Sequence, residues 1–224
     1  MLRNQQHYVI IVAGGSGKRM HSPLPKQFIK IHGKPIIFHT IQRFLEADDS
    51  IQFVISLHPD YIEYWDALIQ EHNFRFNHRV VKGGHERFYS VQNALEIIPS
   101  NAIVGIHDAV RPLVSASTIN RCFSETLTHF SAIPVIDSVN SLRYINEHRN
   151  EIVDRAFIKQ IQTPQYFDAK LIKESYCKEF SRKFTDDASV FEANNHDIHP
   201  VKGNPENIKI TTPIDLIIAK ELLR

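Results

Sequence analysis

An open, mostly parallel α/β sheet with helices on both faces and one projecting β-hairpin arm is the fold class that this sequence predicts. Three observations carry it. Short apolar, β-branched runs recur along the chain, each too short for a helix and apolar on both faces, which is the pattern of strands buried in a parallel sheet. Helical patterns separate them, as the crossovers between parallel strands require. One polar stretch, 137–160, then breaks the alternation.

The strand runs are Tyr8 to Ala13, Ile51 to Leu57, Arg79 to Val81, Ala102 to Ile106 and Ala132 to Ile136. Between them the spacing predicts helices over Ile36 to Glu46, Asp60 to Glu71, Tyr89 to Ile98 and Ser117 to Phe130. Within 137–160, the runs Ser141 to Ile145 and Glu151 to Val153 flank a polar turn, Asn146-Glu147-His148-Arg149-Asn150, and predict the hairpin. Helices over Asp168 to Phe180 and Thr185 to Asn194 follow, then strands at Ile198 to Lys202 and Asn207 to Ile210. The last helix opens at Thr212-Pro213-Ile214-Asp215, with a hydroxyl cap, Pro at its first position and an acid three residues on.

Composition narrows the function classes. A chain of 224 residues, 42% hydrophobic and 23% charged with no repeat or linker, predicts one domain over 1–224, with 137–160 as its arm. Lys+Arg 26 against Asp+Glu 25 leaves a net charge of +1, too weak a field to hold nucleic acid. The start, Met1 to His7, has no apolar signal core and no run spans a bilayer, so no membrane role is expected. Cys122 and Cys177 lie far apart without metal spacing, which suits a reducing cytoplasm.

The richest segment follows the first strand: Ala13-Gly14-Gly15-Ser16-Gly17-Lys18-Arg19-Met20, then Pro25-Lys26-Gln27. Glycines after a strand let backbone N–H groups approach a phosphate, so the loop reads as a phosphate cradle. It fits neither G-x-x-x-x-G-K-[ST] nor G-x-G-x-x-G, which disfavours both common nucleotide folds. Two cations on one loop, Arg19 and Lys26, suit a triphosphate whose leaving pyrophosphate gains charge in the transition state. The alternative is a glycine turn with two solvated basic residues.

Four further constellations carry candidate chemistry. Gly83-Gly84-His85-Glu86-Arg87 leads into Ser90, a turn whose backbone, with Arg87 and Ser90, can read a base or sugar. Asp108 stands at the carboxyl end of a strand, where ligands bind in open α/β sheets, and a lone carboxylate there suits Mg²⁺ bridging phosphates; otherwise it pairs with Arg111. Thr163 and Thr185 offer hydroxyls to a second, phosphorylated substrate, although Thr185 reads equally well as a helix N-cap. Alternation on the late strand sends Lys209 away from Ile208 and Ile210, as a solvated side chain or a phosphate hook.

Taken together and in this order, the segments resemble the 2-C-methyl-D-erythritol 4-phosphate cytidylyltransferase family, with the ribitol-5-phosphate cytidylyltransferases as a sister group. The matching stretches run from residue 8 to 215, and Thr185-Asp186-Asp187-Ala188-Ser189 is more like the methylerythritol branch. The resemblance implies a Rossmann-like nucleotidyltransferase domain that moves CMP from CTP to methylerythritol 4-phosphate, with Mg²⁺, as a homodimer clasped by its arms. By motif position, Ala13, Gly14, Gly15, Ser16, Gly17, Gly84, Arg87 and Ser90 would hold CTP. Arg19 and Lys26 would stabilise the transition state, with Arg155 and Lys209 also in the catalytic set. Asp108 would face the metal, and with Arg111, Ser138, Arg155, Thr163, Thr185 and Lys209 would surround the polyol phosphate. The family's Asp-Thr-x-Lys run on the arm is Asp137-Ser138-Val139-Asn140 here, which keeps the hydroxyl and loses the lysine. Ribitol 5-phosphate as acceptor and a non-catalytic nucleotide-binding module are the two competing functions; the module has no use for transition-state cations.

Overall fold

The structure is a computed structural model that describes residues 5–15 and 24–224. Ser16, Gly17 and Arg19, expected in the phosphate loop, lie outside the described residues.

The first strand, β1 (His7–Ala13), shows why the sheet is central: Val9, Ile11 and Ala13 pack into one apolar cluster, Tyr8 and Ile10 into another on the opposite face. After the short ribbon β2 (Lys30–Ile31) and β3 (Lys34–Pro35), helix α1 (Ile36–Ala47) leads to β4 (Gln52–Leu57). Helix α2 (Ile62–Glu71) leads on to β5 (His78–Lys82), and α3 (Arg87–Glu96) returns the chain to β6 (Ile103–Asp108). Strands β4 and β6 flank β1, and β5 lies beyond β4, all parallel. The chain therefore reverses its direction of travel across the sheet between β1 and β6, and such a switch point opens a crevice at the carboxyl ends of the strands. Val12 and Asp108 are register partners at that edge.

Helix α4 (Ala116–His129) precedes β7 (Ser131–Asp137), from which the arm hairpin β8 (Leu142–Ile145) and β9 (Asn150–Val153) projects as a separate ribbon. The chain rejoins the sheet through β10 (Lys159–Ile161), antiparallel to β7, and β11 (Gln165–Asp168), antiparallel to both β6 and β7. The second, shorter half comprises α5 (Ala169–Ser175), α6 (Asp187–Glu192), β12 (Pro200–Lys202) and α7 (Pro213–Leu222), with β12 parallel to β7. Buried side chains of α1, α2 and α4 cover one face of the sheet and those of α3, α5 and α6 the other.

Several expectations need correction. Strand β11 is not among the strands expected from sequence, because only Tyr166 and Phe167 are apolar in it, between a buried Gln165 and Asp168. The helix expected from Asp168 begins one residue later with Asp168 as its cap, and ends at Ser175. The helix expected from Thr185 is capped instead by Asp186, whose carboxylate accepts from the Ser189 N–H at 2.9 Å in a reciprocal box. Residues 207–210 form no strand: beyond two local turn bonds, from Asn207 to the Asn204 carbonyl and from Ile208 to the Glu206 carbonyl, the Ile210 N–H binds the Val110 carbonyl, and Ile210 still turns inward to a third small cluster. At α7 the expected pair of Thr212 and Asp215 does form the capping box.

Candidate active site

The crevice at the switch point holds a cleft of about 760 Å³. Its floor is the end of β1 with Gly14 and Gly15, one wall the Gly83-Gly84 turn with Arg87 and Ser90, the other Lys26, Asp108 and Lys209. A second compartment of about 270 Å³ adjoins it, formed by Arg111, Gln162, Thr163, Gln165, Thr185 and Asp186. Arg87, Asp108 and Lys209 line both.

The glycine turns are built for close approach. A Cβ on Gly84 would lie 2.3 Å from the Tyr89 Cβ, and one on Gly14 or Gly83 would lie 3.1 Å from the Ser90 hydroxyl. Ser90 stands between the two turns: its Oγ donates to the Glu86 carbonyl and accepts from the Gly84 N–H, both at 3.1 Å. It thus shapes the wall of the cleft with a hydroxyl already engaged. Gln27, assigned nothing from sequence, donates from Nε2 to the carbonyls of Ala13 at 2.7 Å and Gly15 at 3.3 Å, pinning the described part of the loop. Its neighbour Lys26 reaches across to the Ile210 carbonyl at 3.1 Å, which brings Lys26 and the Lys209 segment together.

Asp108 is not the lone carboxylate that its place in the sequence suggests. Its Oδ2 meets Lys209 Nζ at 2.9 Å and Arg111 Nε at 3.2 Å, and its Oδ1 lies 3.6 Å from Arg87 Nε. Burial alone would raise its carboxyl; Arg87, Lys209 and Arg111 outweigh burial and hold it well below the usual carboxylate range. Asp108 thus pairs with Arg111, as one of its two sequence readings has it, and it also lines the cleft. Arg111 reaches further, from Nη1 to the Asn207 carbonyl at 2.9 Å.

Beneath these charges runs a buried polar chain. The Asp108 N–H donates to Thr163 Oγ1 at 3.2 Å, and that hydroxyl lies 3.0 Å from His107 Nδ1. Nε2 of His107 faces the Arg111 carbonyl at 3.1 Å, an acceptor only, so the proton sits on Nε2 and Nδ1 accepts from Thr163. Burial pushes His107 down to about 3, which keeps it neutral. Thr163 therefore holds β6 in place from within, and Thr185 is exposed at the second compartment with its N–H on Ser189 Oγ. Gln165 ties β11 to α6 through the Ala188 N–H and Asp186.

Arg87 owes its orientation to two residues that sequence reasoning missed. Asp187, fully buried, accepts two hydrogen bonds from its guanidinium, and the Tyr176 hydroxyl donates to the same carboxylate at 2.6 Å. A buried acid carries no mark in the helical periodicity of 185–194; its only sequence signal is an Asp on the apolar side of α6. His58 and His85, also unassigned from sequence, line the larger cleft where β4 and β5 end.

Ser138 and Arg155 line neither compartment of their own chain. They share a separate pocket of about 550 Å³ at the base of the arm with Asp137, Asp154 and Lys159. Arg155 donates to the Val139 carbonyl at 2.5 Å, Ser138 to the Asn140 carbonyl at 3.4 Å, and Lys159 pairs with Asp137 at 2.5 Å.

The family model described as 2-C-methyl-D-erythritol 4-phosphate cytidylyltransferase matches residues 7–224. The chain belongs to that family. A relative so named from Bacteroides fragilis is 47% identical over 214 residues, covering 96% of this chain and 98% of its own. Another from Bacteroides thetaiotaomicron is 46% identical over 215 residues, again covering 96% and 98%. Among solved structures, the 4-diphosphocytidyl-2C-methyl-D-erythritol synthase of Anaerococcus prevotii superposes with a TM-score of 0.83 at 28% identity, covering 99% of this chain and 97% of that one. As a member of the cytidylyltransferase family the chain is a nucleotidyltransferase. Among the described residues, no helix is long and apolar enough to cross a membrane.

Proposed function

We propose that this domain transfers CMP from CTP to 2-C-methyl-D-erythritol 4-phosphate in isoprenoid precursor synthesis, giving 4-diphosphocytidyl-2-C-methyl-D-erythritol and pyrophosphate. A phosphate oxygen of the polyol phosphate forms the new bond to the α-phosphorus of CTP, and the α–β bridging bond breaks to release pyrophosphate. A phosphate dianion is already a nucleophile, so this reaction needs charge neutralised and two anions aligned, and it needs no general base.

The observation that carries the reading is the shared wall: Arg87, Asp108 and Lys209 border a nucleotide-sized cleft on one side and a smaller polar compartment on the other. CTP occupies the cleft, with its phosphates over Gly14, Gly15 and Gly84 beside Lys26; the polyol phosphate sits against Arg111, Lys209 and Thr185. Asp108, ionised and encircled by cations, aims those cations and abstracts no proton. His107, neutral and engaged at both nitrogens, holds the Asp108 turn and is no base.

A divalent cation fits this donor set in one form. Mg²⁺ is usually held by one or two carboxylates plus substrate phosphates, and Asp108 is a single carboxylate whose Oδ1, among the described residues, has a 3.6 Å contact with Arg87 as its one ion pair. Asp108 would hold Mg²⁺ together with triphosphate oxygens, and the bound ion would withdraw negative charge from the leaving pyrophosphate.

The arm completes the site in a homodimer. Val139, Ile145, Ile152 and Phe157 are between 68% and 83% exposed on it, apolar area that a second copy would cover. Arg155 and Ser138 then meet the partner's polyol phosphate, and Lys159 supplies there the cation that Asn140 does not. Its need for CTP, a nucleotide of the cytoplasm, supports a cytoplasmic enzyme.

Pyrophosphate release with CTP and each of two acceptors tests the proposal. Methylerythritol 4-phosphate should support turnover and ribitol 5-phosphate should not; release with neither acceptor would leave nucleotide binding without catalysis.

A further inference from the structure

Outside the crevice the structure brings together Glu125, His129 and His199. Glu125 and His129 are one turn apart on the last stretch of α4, and His199 immediately precedes β12. Their three ligand atoms lie within 4.8 Å of one another. Nε2 of His129 and Nε2 of His199 are each 3.4 Å from the same atom, Glu125 Oε2. With metal–ligand distances of about 2.0–2.2 Å, neighbouring ligands of a tetrahedral zinc ion stand about 3.4 Å apart.

We propose that Glu125, His129 and His199 form a binding site for a borderline-soft divalent ion of the Zn²⁺ type, with water completing the tetrahedron. Two imidazoles and one carboxylate select such an ion over Mg²⁺, whose preferred donors are all oxygens. The backbone under the three residues is held. The Phe130 N–H closes the end of α4 on the Thr126 carbonyl; the His199 N–H binds Ser131 Oγ at 3.1 Å, and the His199 carbonyl accepts from Ile133 at 3.0 Å. The tips are free to adjust. The imidazoles stack face to face, with centroids 3.7 Å apart and planes 8° apart. Coordination turns the rings out of that stack until both lone pairs converge, and side-chain exposures of 42% for His129, 34% for His199 and 41% for Glu125 leave room for it.

The site is structural. The fourteen residues of α4 span about 20 Å at 1.5 Å each and carry the chain from the crevice edge of the sheet back to the edge where β7 starts. A bound ion would fasten the end of α4 to the β12 side of the sheet, next to the strand that continues into the arm.

Co²⁺, whose visible absorption reports coordination, and Zn²⁺ in thermal unfolding are the probes, both on the full chain. One equivalent of Co²⁺ should give the bands of a low-coordinate nitrogen and oxygen site, and Zn²⁺ at about a hundredfold excess over Kd should raise Tm by roughly 5–10 °C. His129→Ala and His199→Ala should each weaken binding at least about 100-fold and abolish the Tm gain, with turnover under CTP and Mg²⁺ unchanged. His129→Gln and His199→Gln, which retain bulk, should behave alike. Bands and a Tm gain that persist in all four variants, or a wild-type chain that binds neither ion, would overturn the site.

Discussion

Arg87 and Asp187 join two helices through a bidentate ion pair, both hydrogen bonds 2.7 Å long, with the carboxylate wholly buried. Asp187 lines neither compartment, yet it aims the guanidinium that borders both. Burial alone would lower Arg87, and Asp187 outweighs it, so the guanidinium stays charged. Removing the charge of Asp187 leaves the guanidinium, 30% exposed to the cleft, with Asp108 still 3.6 Å away, and costs the two buried charge-assisted bonds, about 1.5–3 kcal/mol. Asp187→Asn should therefore lose that much stability in urea unfolding and should also lose turnover. Tyr176→Phe, which removes one bond to the same carboxylate, should lose about 1.5–3 kcal/mol. Wild-type stability and turnover in Asp187→Asn would show that Arg87 holds its place without it.

Lys26→Ala should lower turnover about 10²- to 10³-fold while changing CTP binding far less, because its charge meets the phosphates chiefly where negative charge grows. Steady-state kinetics with CTP varied separates the two. A large rise in the KM for CTP with kcat unchanged would make Lys26 a ground-state anchor.

Asp108→Asn leaves Arg87, Arg111 and Lys209 converging without their shared anion. Activity should fall roughly 100-fold or more, and the Mg²⁺ titration should shift to higher concentration. An unchanged titration curve would assign the ion to another carboxylate.

His107 makes stability depend on pH. Its value is lowered by burial from 6.5 to about 3, so the unfolded chain takes up a proton near pH 6.5 that the folded chain refuses until about pH 3. Its contribution is complete above pH 6.5 and is lost as pH falls through that window, by about 1.4 kcal/mol per unit. Between pH 7 and pH 5 the wild type should therefore lose about 2 kcal/mol more than His107→Gln in urea unfolding. Equal losses would mean that His107 is charged in the fold.

Mixing two inactive variants tests whether Arg155 acts across the proposed dimer. Lys26→Ala and Arg155→Ala, unfolded and refolded together, form mixed dimers in which one site has both residues intact if Arg155 serves its partner. Activity should then return; mixed dimers without activity would put Arg155 in its own subunit's site.

The strands that frame the crevice are legible because they are apolar on both faces, and Val12 to Gly15 and Asp108 follow from where those strands end. Strand β11 is not, since four residues that include a buried Gln165 show no apolar period. Residues 207–210 mislead in the opposite direction: their alternation is real, with Ile210 inward and Lys209 outward to Asp108, but no neighbouring strand pairs with them. Thr185 and Asp186 are both competent caps, and only the reciprocal bond with Ser189 decides between them. Of the cations around Asp108, Arg111 is three residues along the same segment, whereas Arg87 and Lys209 come from distant ones. Local pattern therefore shows an acid at a strand end with one neighbouring cation, and does not show the other two.

If the two substrates bind as proposed, the wall common to both compartments makes them thermodynamically inseparable. An anion arriving on one side of Arg87 and Lys209 draws on the same positive charge that the other side uses, and Asp108 feels both arrivals. The affinity of each substrate is then a function of the other's occupancy. By linkage the factor is the same in either direction, so whichever substrate enters first sets the strength with which the second is held.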